Sequence, residues 1–253
     1  MCGIIGYIGP RPVLPVLLDG LRRLEYRGYD SAGIAVVRDG AIELRRSAGK
    51  LARLEEAIAA SPIDGDYGVG HTRWATHGRP TEENAHPHRD CTGRIVVVHN
   101  GIIENYMQLR RWLSELGYGF RTDTDTEVVP VLLRHCYKGD LVEAVREAVA
   151  HLRGAYALAI LSSREPDKLV AVKRASPLVI GLGEGENFLA SDVPAILEHT
   201  RRFHVLGEGE MAVLTRDGVR VSDLEGRPLD KPVWQVDWDA EAAEKGGYDH
   251  FMR

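Results

Sequence analysis

The second residue of the chain is a cysteine, and a thiol at this place could serve as a nucleophile. Because cysteine is small, we expect methionine aminopeptidase to remove Met1 and to leave Cys2 with a free α-amine. A thiol has an unperturbed pKa of about 8.5 and an α-amine one of about 7.7–8.0, so the amine could accept the thiol proton. The two groups would then be a nucleophile and its base. The alternative is that Cys2 is a small apolar residue that opens a strand.

Three further positions carry groups that hydrolysis of an amino-acid amide requires. The side-chain N–H of Asn100 and the backbone N–H of Gly101 could bind the oxyanion of a tetrahedral intermediate, which is worth roughly 2.7–4 kcal/mol per donor. The forked guanidinium of Arg73 suits a substrate carboxylate, and Asp125 suits an ammonium group. Taken singly, Arg73 could be a surface charge, Asn100 and Gly101 a turn, and Asp125 a helix start. Together with Cys2 they predict a thiol-dependent amide-hydrolysing site.

The spacing of the histidines does not predict a metal site. His71 and His77 are six positions apart around a loop with glycine and proline, and no glutamate stands in HExxH spacing. The chain has three scattered cysteines and no CxxC, so neither a disulfide framework nor a thiolate metal site is indicated. We therefore predict no metal and no cofactor.

Composition is typical of a soluble globular protein. The 253 residues are 44% hydrophobic and 27% charged, and the formal net charge is −5. This charge gives no reason to expect a nucleic acid or an anionic membrane as partner. No signal peptide is recognisable, and no apolar run approaches the ~18 residues of a membrane span. We expect a cytoplasmic location.

The predicted elements place the candidate residues at strand ends or in loops. Residues 3–9 are predicted as a short buried strand directly after Cys2, and residues 67–72 as a strand followed by a long loop. The β-branched run 94–99 is predicted as a strand that stops at Asn100. Helices are predicted from Pro12 to Arg27 and over 51–60, 104–116, 124–136 and 141–152. Strands separated by short turns are predicted from Ala155 onward.

Many strands combined with about five helices, without regular βαβ alternation, favour a layered α+β fold. Antiparallel sheets would pack face to face, with the helices outside.

Five ordered motifs carry a family resemblance: CGI at 2–4, LEYRGYDSAG at 24–33, HTRWATHG at 71–78, NAHPH at 84–88 and HNGIIEN at 99–105. The chain resembles the class II glutamine amidotransferases of the Ntn-hydrolase superfamily, and among them the glutaminase domain of the glucosamine-6-phosphate synthase family. The resemblance implies a four-layer αββα sandwich of two antiparallel sheets. It also implies hydrolysis of L-glutamine to L-glutamate and ammonia through a thioester.

The resemblance implies a role for each matching residue. Cys2 would be the nucleophile, with its own α-amine as base, and Asn100 and Gly101 would form the oxyanion hole. Arg73 would bind the α-carboxylate of glutamine and Asp125 its α-ammonium group. The remaining implied roles belong to Thr76 and His77 in the loop that closes over glutamine, to Arg27 in positioning the N-terminus, and to Trp74 at the mouth of an ammonia channel.

The resemblance implies a glutaminase domain over residues 2–236 and a tail or linker over 237–253. The linker would lead to a sugar-phosphate isomerase domain that is not in this sequence, so we expect no amino transfer to fructose 6-phosphate. The full-length form is expected to be a homodimer.

Two alternatives to this function remain. One is the glutaminase half of another class II enzyme such as amidophosphoribosyltransferase, against which the YRGYDS stretch at 26–31 argues. The other is a non-catalytic glutamine-binding module.

Overall fold

Two antiparallel sheets form the centre of the computed structural model, which describes residues 2–237. The strands are β1 (Gly3–Ile8), β2 (Ser31–Arg38), β3 (Ala41–Ala48), β4 (Tyr67–Arg73), β5 (His88–Arg89), β6 (Ile95–Ile103), β7 (Gly154–Ser162), β8 (Leu169–Arg174), β9 (Val179–Leu182), β10 (Asn187–Ala190), β11 (Arg202–Val205), β12 (Glu210–Leu214), β13 (Val219–Asp223) and β14 (Trp234–Gln235). The first sheet has the order β14-β11-β9-β10-β1-β4-β2-β3, and the second has the order β13-β12-β8-β7-β6-β5.

Five α-helices cover the outer faces of these sheets within the described residues. They are α1 (Val13–Leu24), α2 (Leu51–Ala60), α3 (Tyr106–Glu115), α4 (Val128–Cys136) and α5 (Leu141–His151). Each of α1 and α2 buries an apolar face on the first sheet, whereas α3, α4 and α5 cover the second sheet.

Alternation of side chains along the strands explains the layering. In β1, Ile5 and Tyr7 point to the side of α1 and α2, whereas Ile4 and Ile8 point to the second sheet. In β6, residues 95 and 97 pack against the helices and residues 96 and 98 against the first sheet. Both faces of β1 and of residues 95–98 in β6 are therefore apolar and buried. The predicted four-layer αββα arrangement is confirmed.

The strand expected to stop at Asn100 is longer than predicted. It continues to Ile103 and stays paired with β7 to its end, where Ile103 lies opposite Gly154. An Asn-Gly pair is a common turn signal, but Gly101 takes a φ of +127° inside the ladder and the chain does not reverse there.

The helix predicted over 124–136 begins only at Val128. Thr124 Oγ1 accepts the backbone N–H of Glu127, as a capping box requires. The Glu127 carboxylate, however, accepts the N–H groups of Arg121 and Thr122, so these residues form a turn in front of the helix.

In the part of the chain that the structure describes, no helix is long and apolar enough to cross a bilayer. The predicted tail over 237–253 lies outside the described residues, apart from Asp237.

Candidate active site

The inner faces of the two sheets bring the candidate residues together. Cys2 precedes β1, and Gly3 of β1 is paired with Thr72 of β4. Side chains alternate, so His71 and Arg73 lie on the same inner face as Val69 of β4. Asn100 shares the inner face of β6 with Val96 and Val98. The interior between the sheets is thus apolar at the centre and polar where these four side chains meet.

The Cys2 thiol is held at the end of β4. Its Sγ accepts the backbone N–H of Trp74 at 3.2 Å, and the side chain is only partly buried. Burial raises the pKa of the Cys2 thiol above its ordinary value, although the Trp74 N–H acts in the opposite direction. A thiol with a raised pKa needs a base before it can attack a substrate.

The Asn100 side chain reaches the nucleophile from the second sheet. Its Nδ2 donates to the carbonyl oxygen of Cys2 at 2.9 Å, while its Oδ1 lies 3.1 Å from Nε2 of His71. The next residue must be glycine, because a Cβ on Gly101 would lie 2.0 Å from the carbonyl oxygen of Ala155. The positive φ of Gly101 imposes the same requirement.

The two expected charge partners of an amino acid are both buried. Arg73 donates to the backbone carbonyls of His77, Gly78 (3.1 Å) and Arg79 (3.3 Å). Burial lowers the pKa of Arg73, whereas attraction to Cys2 and Asp125 raises it. Both groups are therefore near enough to interact electrostatically with the guanidinium, which stays positively charged.

Asp125 is fixed from the end of β6. Its Oδ2 accepts the backbone N–H of Ile103 at 2.8 Å, and its Oδ1 lies 3.9 Å from Nδ1 of His77. His77 in turn packs edge-on against Tyr106, with the ring centroids 5.3 Å apart. The expected ammonium-binding carboxylate thus borders the loop that Arg73 anchors.

The loop after β4 is pinned by the segment around Asp30. Asp30 Oδ2 accepts the N–H of Ala75 at 2.7 Å, and a Cβ on Gly28 would lie 2.7 Å from the carbonyl carbon of Arg73. Trp74 is 46% exposed and meets the Tyr29 ring edge-on at 5.3 Å. Thr76 is exposed, and its Oγ1 lies 3.4 Å from Nδ1 of His77.

Arg27 lies beneath β1. Its guanidinium pairs with Asp192 at 2.7 Å and donates to the carbonyl of Ser191 at 3.4 Å. The Ser191 hydroxyl accepts the N–H of Ile4 at 3.0 Å. These contacts connect Arg27 to the strand that follows Cys2.

Sequence reasoning assigned no role to three residues that build the site. Asp30 holds the loop as described, and Asn84 bridges two loops by accepting from Asp123 N (3.0 Å) and donating to Arg79 O (3.1 Å). His71 contacts Asn100. All three lie within the family motifs, and this was the only signal for them in the sequence.

Four buried histidines border the site without forming a metal centre. The rings are those of His71, His86, His88 and His99, and His71 stacks on His86 with centroids 4.1 Å apart. Among the described residues, no three His, Cys, Asp or Glu side chains are placed to hold a metal ion. Burial lowers the pKa of His71 to about 3 and that of His86 and His88 well below 6.5. The rings are therefore neutral near pH 7.

The fold defines the class of protein. The structure is similar to the glutamine phosphoribosylpyrophosphate amidotransferase of B. subtilis, with a TM-score of 0.75 and 26% identity over 88% of this chain and 49% of that one. It is also similar to a structure described as the allosteric regulatory enzyme of purine biosynthesis, with a TM-score of 0.78, 25% identity and the same shares of the two chains. These neighbours are Ntn-type amidotransferases, so the α+β sandwich is of that type.

The chain belongs to the glutamine amidotransferase domain family, whose sequence model matches residues 71–198. That stretch contains Arg73, Asn100, Gly101 and Asp125, but not Cys2. The chain is also 58% identical over 252 residues to the glutamine–fructose-6-phosphate aminotransferase (isomerizing) of Symbiobacterium thermophilum, and 56% identical to that of Thermus thermophilus. All of this chain is covered, yet it spans only 41% and 42% of the length of these two relatives.

Proposed function

We propose that this chain hydrolyses L-glutamine to L-glutamate and ammonia with Cys2 as nucleophile. The observation that supports this most strongly is the contact between Asn100 and Cys2. An amide donor on the second sheet lies against the residue that carries the thiol on the first, with 2.9 Å between Asn100 Nδ2 and Cys2 O. An oxyanion formed on the substrate when the thiol attacks would thus arise close to an N–H donor.

The reaction would proceed in two stages. The α-amine of Cys2 takes the thiol proton, Sγ attacks the side-chain amide carbon of glutamine, and the carbonyl oxygen becomes an oxyanion. The amine then returns the proton to the leaving nitrogen, the C–N bond breaks, and ammonia departs from a thioester. Water, deprotonated by the same amine, attacks the thioester to give a second oxyanion, the C–S bond breaks to release glutamate, and the amine returns the proton to Sγ. Asn100 Nδ2 and the N–H of Gly101 would stabilise both oxyanions, which requires Asn100 to leave the Cys2 carbonyl.

Substrate recognition would use the two buried charges. Arg73 would bind the α-carboxylate, and Asp125 would bind the α-ammonium group. Thr76 and His77 would close over the bound glutamine. The proximity of His77 to Asp125, 3.9 Å between Nδ1 and Oδ1, supports this arrangement.

The names of the relatives support a wider assignment. We propose that the released ammonia serves the amination of fructose 6-phosphate to glucosamine 6-phosphate in an additional isomerase domain, with Trp74 at the mouth of the connecting channel. Residues 237–253 would be the linker to that domain, the full-length form would be a homodimer, and the enzyme would act in the cytoplasm.

Ammonia release from glutamine tests the proposal. The parent chain should release ammonia, and Cys2→Ala should bind glutamine without releasing it. Cys91→Ala is the matched control, because Cys91 is exposed and outside the site, and it should behave like the parent. Full release by Cys2→Ala would contradict the proposal. Binding without hydrolysis by the parent would support the non-catalytic module instead.

Two further measurements test the wider assignment and the base. Added fructose 6-phosphate should yield no glucosamine 6-phosphate with this chain alone. The mass of the active protein should show that Met1 is absent, since only then does Cys2 carry the α-amine. Retention of Met1 in active protein would contradict the role of the amine.

A further inference from the structure

His71 contacts the Asn100 side chain from the side opposite Cys2. Its ring is fully buried on β4, with Nε2 3.1 Å from Asn100 Oδ1 and 2.9 Å from the carbonyl oxygen of His99. The proposed mechanism does not use this ring. Its position behind a proposed oxyanion donor gives it a specific task.

The hydrogen-bond network determines which atom of each group faces the other. The Cys2 carbonyl can only accept, so the Asn100 atom 2.9 Å from it is the amide nitrogen. The amide oxygen must then face His71, and the carbonyl of His99 is the second acceptor at the same ring nitrogen. Nε2 of His71 therefore carries the proton and donates, and Nδ1 has no proton.

The surroundings keep His71 in this state. Nδ1 is buried and has no hydrogen-bond partner among the described residues, while the ring lies parallel to His86 within 14°. Burial is the main cause that lowers the pKa of His71, and repulsion from His99 and Arg73 acts in the same direction. The ring thus stays a neutral N–H donor of fixed orientation.

Hydrogen bonds also fix the tautomer of His86, the ring that stacks on His71. Its Nδ1 accepts the backbone N–H of His99 at 3.2 Å, so its Nε2 carries the proton and donates to Thr126 Oγ1 at 3.4 Å. The Thr126 hydroxyl can then donate to Nδ1 of His99 at 2.8 Å. His71 and His86 thus each have one defined tautomer, so His71 stacks on a ring whose own hydrogen bonds are fixed.

We propose that His71 is a positioning residue that fixes the orientation of the Asn100 amide, so that Nδ2 and not Oδ1 faces the oxyanion. An asparagine amide has nearly the same shape in its two flipped orientations, and the wrong one would place an acceptor oxygen against a negative charge. The N–H of His71 removes this ambiguity by binding Oδ1. The proposal rests on the glutaminase function proposed above.

The test is a mutant cycle measured by ammonia release from glutamine. His71→Met removes the donor with similar bulk, and we expect kcat to fall at least tenfold while the KM for glutamine changes less than threefold. His71→Met combined with Asn100→Ala should be no more than threefold slower than Asn100→Ala alone, because the two residues act as one unit. His199→Met is the matched control. That ring stacks on Phe188, outside the site, and its replacement should leave kcat unchanged.

A second pair of variants keeps the test decisive if the methionine variant does not fold. His71→Gln places an amide N–H near the Nε2 position and should retain kcat within about fivefold of the parent. His71→Asn is equally polar but too short to reach Asn100, and it should lose at least tenfold. Alkylation of Cys2 by iodoacetamide should proceed at the parent rate in both variants, because the nucleophile is untouched.

Several outcomes would overturn the proposal. One is a kcat for His71→Asn equal to that of His71→Gln. Another is a kcat loss in the double variant equal to the product of the losses from His71→Met and Asn100→Ala. The third is an alkylation rate of Cys2 that falls in proportion to kcat. Each of them leaves the glutaminase function standing when the parent releases ammonia and Cys2→Ala does not. A parent that releases no ammonia would overturn both.

Discussion

The amide nitrogen of Asn100 lies 2.9 Å from the carbonyl oxygen of Cys2, although 98 positions separate the two residues in the sequence. The bond crosses the interior between the two sheets at the point where the apolar packing ends. The proposed oxyanion donor, the Asn100 amide, is therefore hydrogen-bonded to the backbone of the residue that carries the thiol. The oxyanion of the substrate must replace the Cys2 carbonyl as the acceptor of this hydrogen bond. The contribution of Asn100 should therefore appear in the chemical step.

Replacement of Asn100 should affect kcat more than KM. We expect Asn100→Ala to lower kcat by about 10²–10³-fold, as loss of one oxyanion donor does in known cases, with a small change in KM. Steady-state ammonia release gives both constants. A rise in KM at unchanged kcat would show that Asn100 binds glutamine in its ground state instead.

Replacement of Arg73 should instead affect the KM for glutamine more than kcat. Arg73→Lys loses the planar fork, so the KM for glutamine should rise by about tenfold or more. Arg45→Lys is a suitable control, because Arg45 also donates to backbone carbonyls, those of Ser61 and Leu44, yet lies on β3 away from the site. An unchanged KM for Arg73→Lys would remove Arg73 from the carboxylate role.

The glycine of the proposed oxyanion hole should be structurally irreplaceable. In Gly101→Ala the new Cβ would meet the Ala155 carbonyl oxygen at 2.0 Å, and backbone cannot move aside as a side chain can. We expect a loss of about 3 kcal/mol or more of unfolding free energy, which corresponds to a fall in Tm of about 6 °C or more.

Gly117 provides the matched control for backbone strain alone. Its φ of +90° is also positive, but a Cβ there would meet nothing within 4 Å. Gly117→Ala should therefore cost only about 1–2 kcal/mol. Equal falls in Tm for the two variants in thermal melting would refute the steric explanation at Gly101.

The buried histidines should make the fold sensitive to acid. Because burial lowers the pKa of His71 to about 3, the unfolded chain binds a proton on this residue below about pH 6.5 while the folded chain does not. The unfolded state then holds more protons, so stability is present above pH 6.5 and is lost as the pH falls. Each such ring contributes about 1.4 kcal/mol per pH unit in this window.

The contribution of one ring is measurable by denaturant unfolding at several pH values. His71→Gln cannot take up the proton, so its unfolding free energy should fall less steeply between pH 6 and pH 5, by about 1.4 kcal/mol per unit. His86 and His88, whose pKa values burial also lowers, remain in both proteins. The same slope in the variant and the parent would contradict the assignment.

Much of the fold followed from local patterns in the sequence. The apolar stretch of β1 and the β-branched run of β6 predicted buried strands, and α1 and α5 lie where helices were predicted, since such patterns depend on neighbours only a few positions away. The end of β6 was missed because an Asn-Gly pair resembles a turn signal. Its true role depends on the distant Ala155 carbonyl, which no local pattern contains.

The types of the functional residues were predictable from the sequence, but the contacts that hold them in place were not. Cys2, Arg73 and Asp125 could be proposed because a thiol and two opposite charges match the chemistry of an amino-acid amide. The parts that hold them could not, because Asp30 and His71 act through contacts across strands and loops. A buried histidine has no signature in a single sequence that separates a packing role from an orienting one.

Site-specific labelling tests the central claim most directly. A diazo-ketone analogue of glutamine should carry the α-carboxylate and α-ammonium groups into the site and alkylate the nearest thiol. The peptide map should show one label per chain at Cys2 and none at the exposed Cys91 or the buried Cys136, with excess glutamine protecting. A label at Cys91 or Cys136, or no label in protein that hydrolyses glutamine, would contradict the assignment of Cys2 as nucleophile.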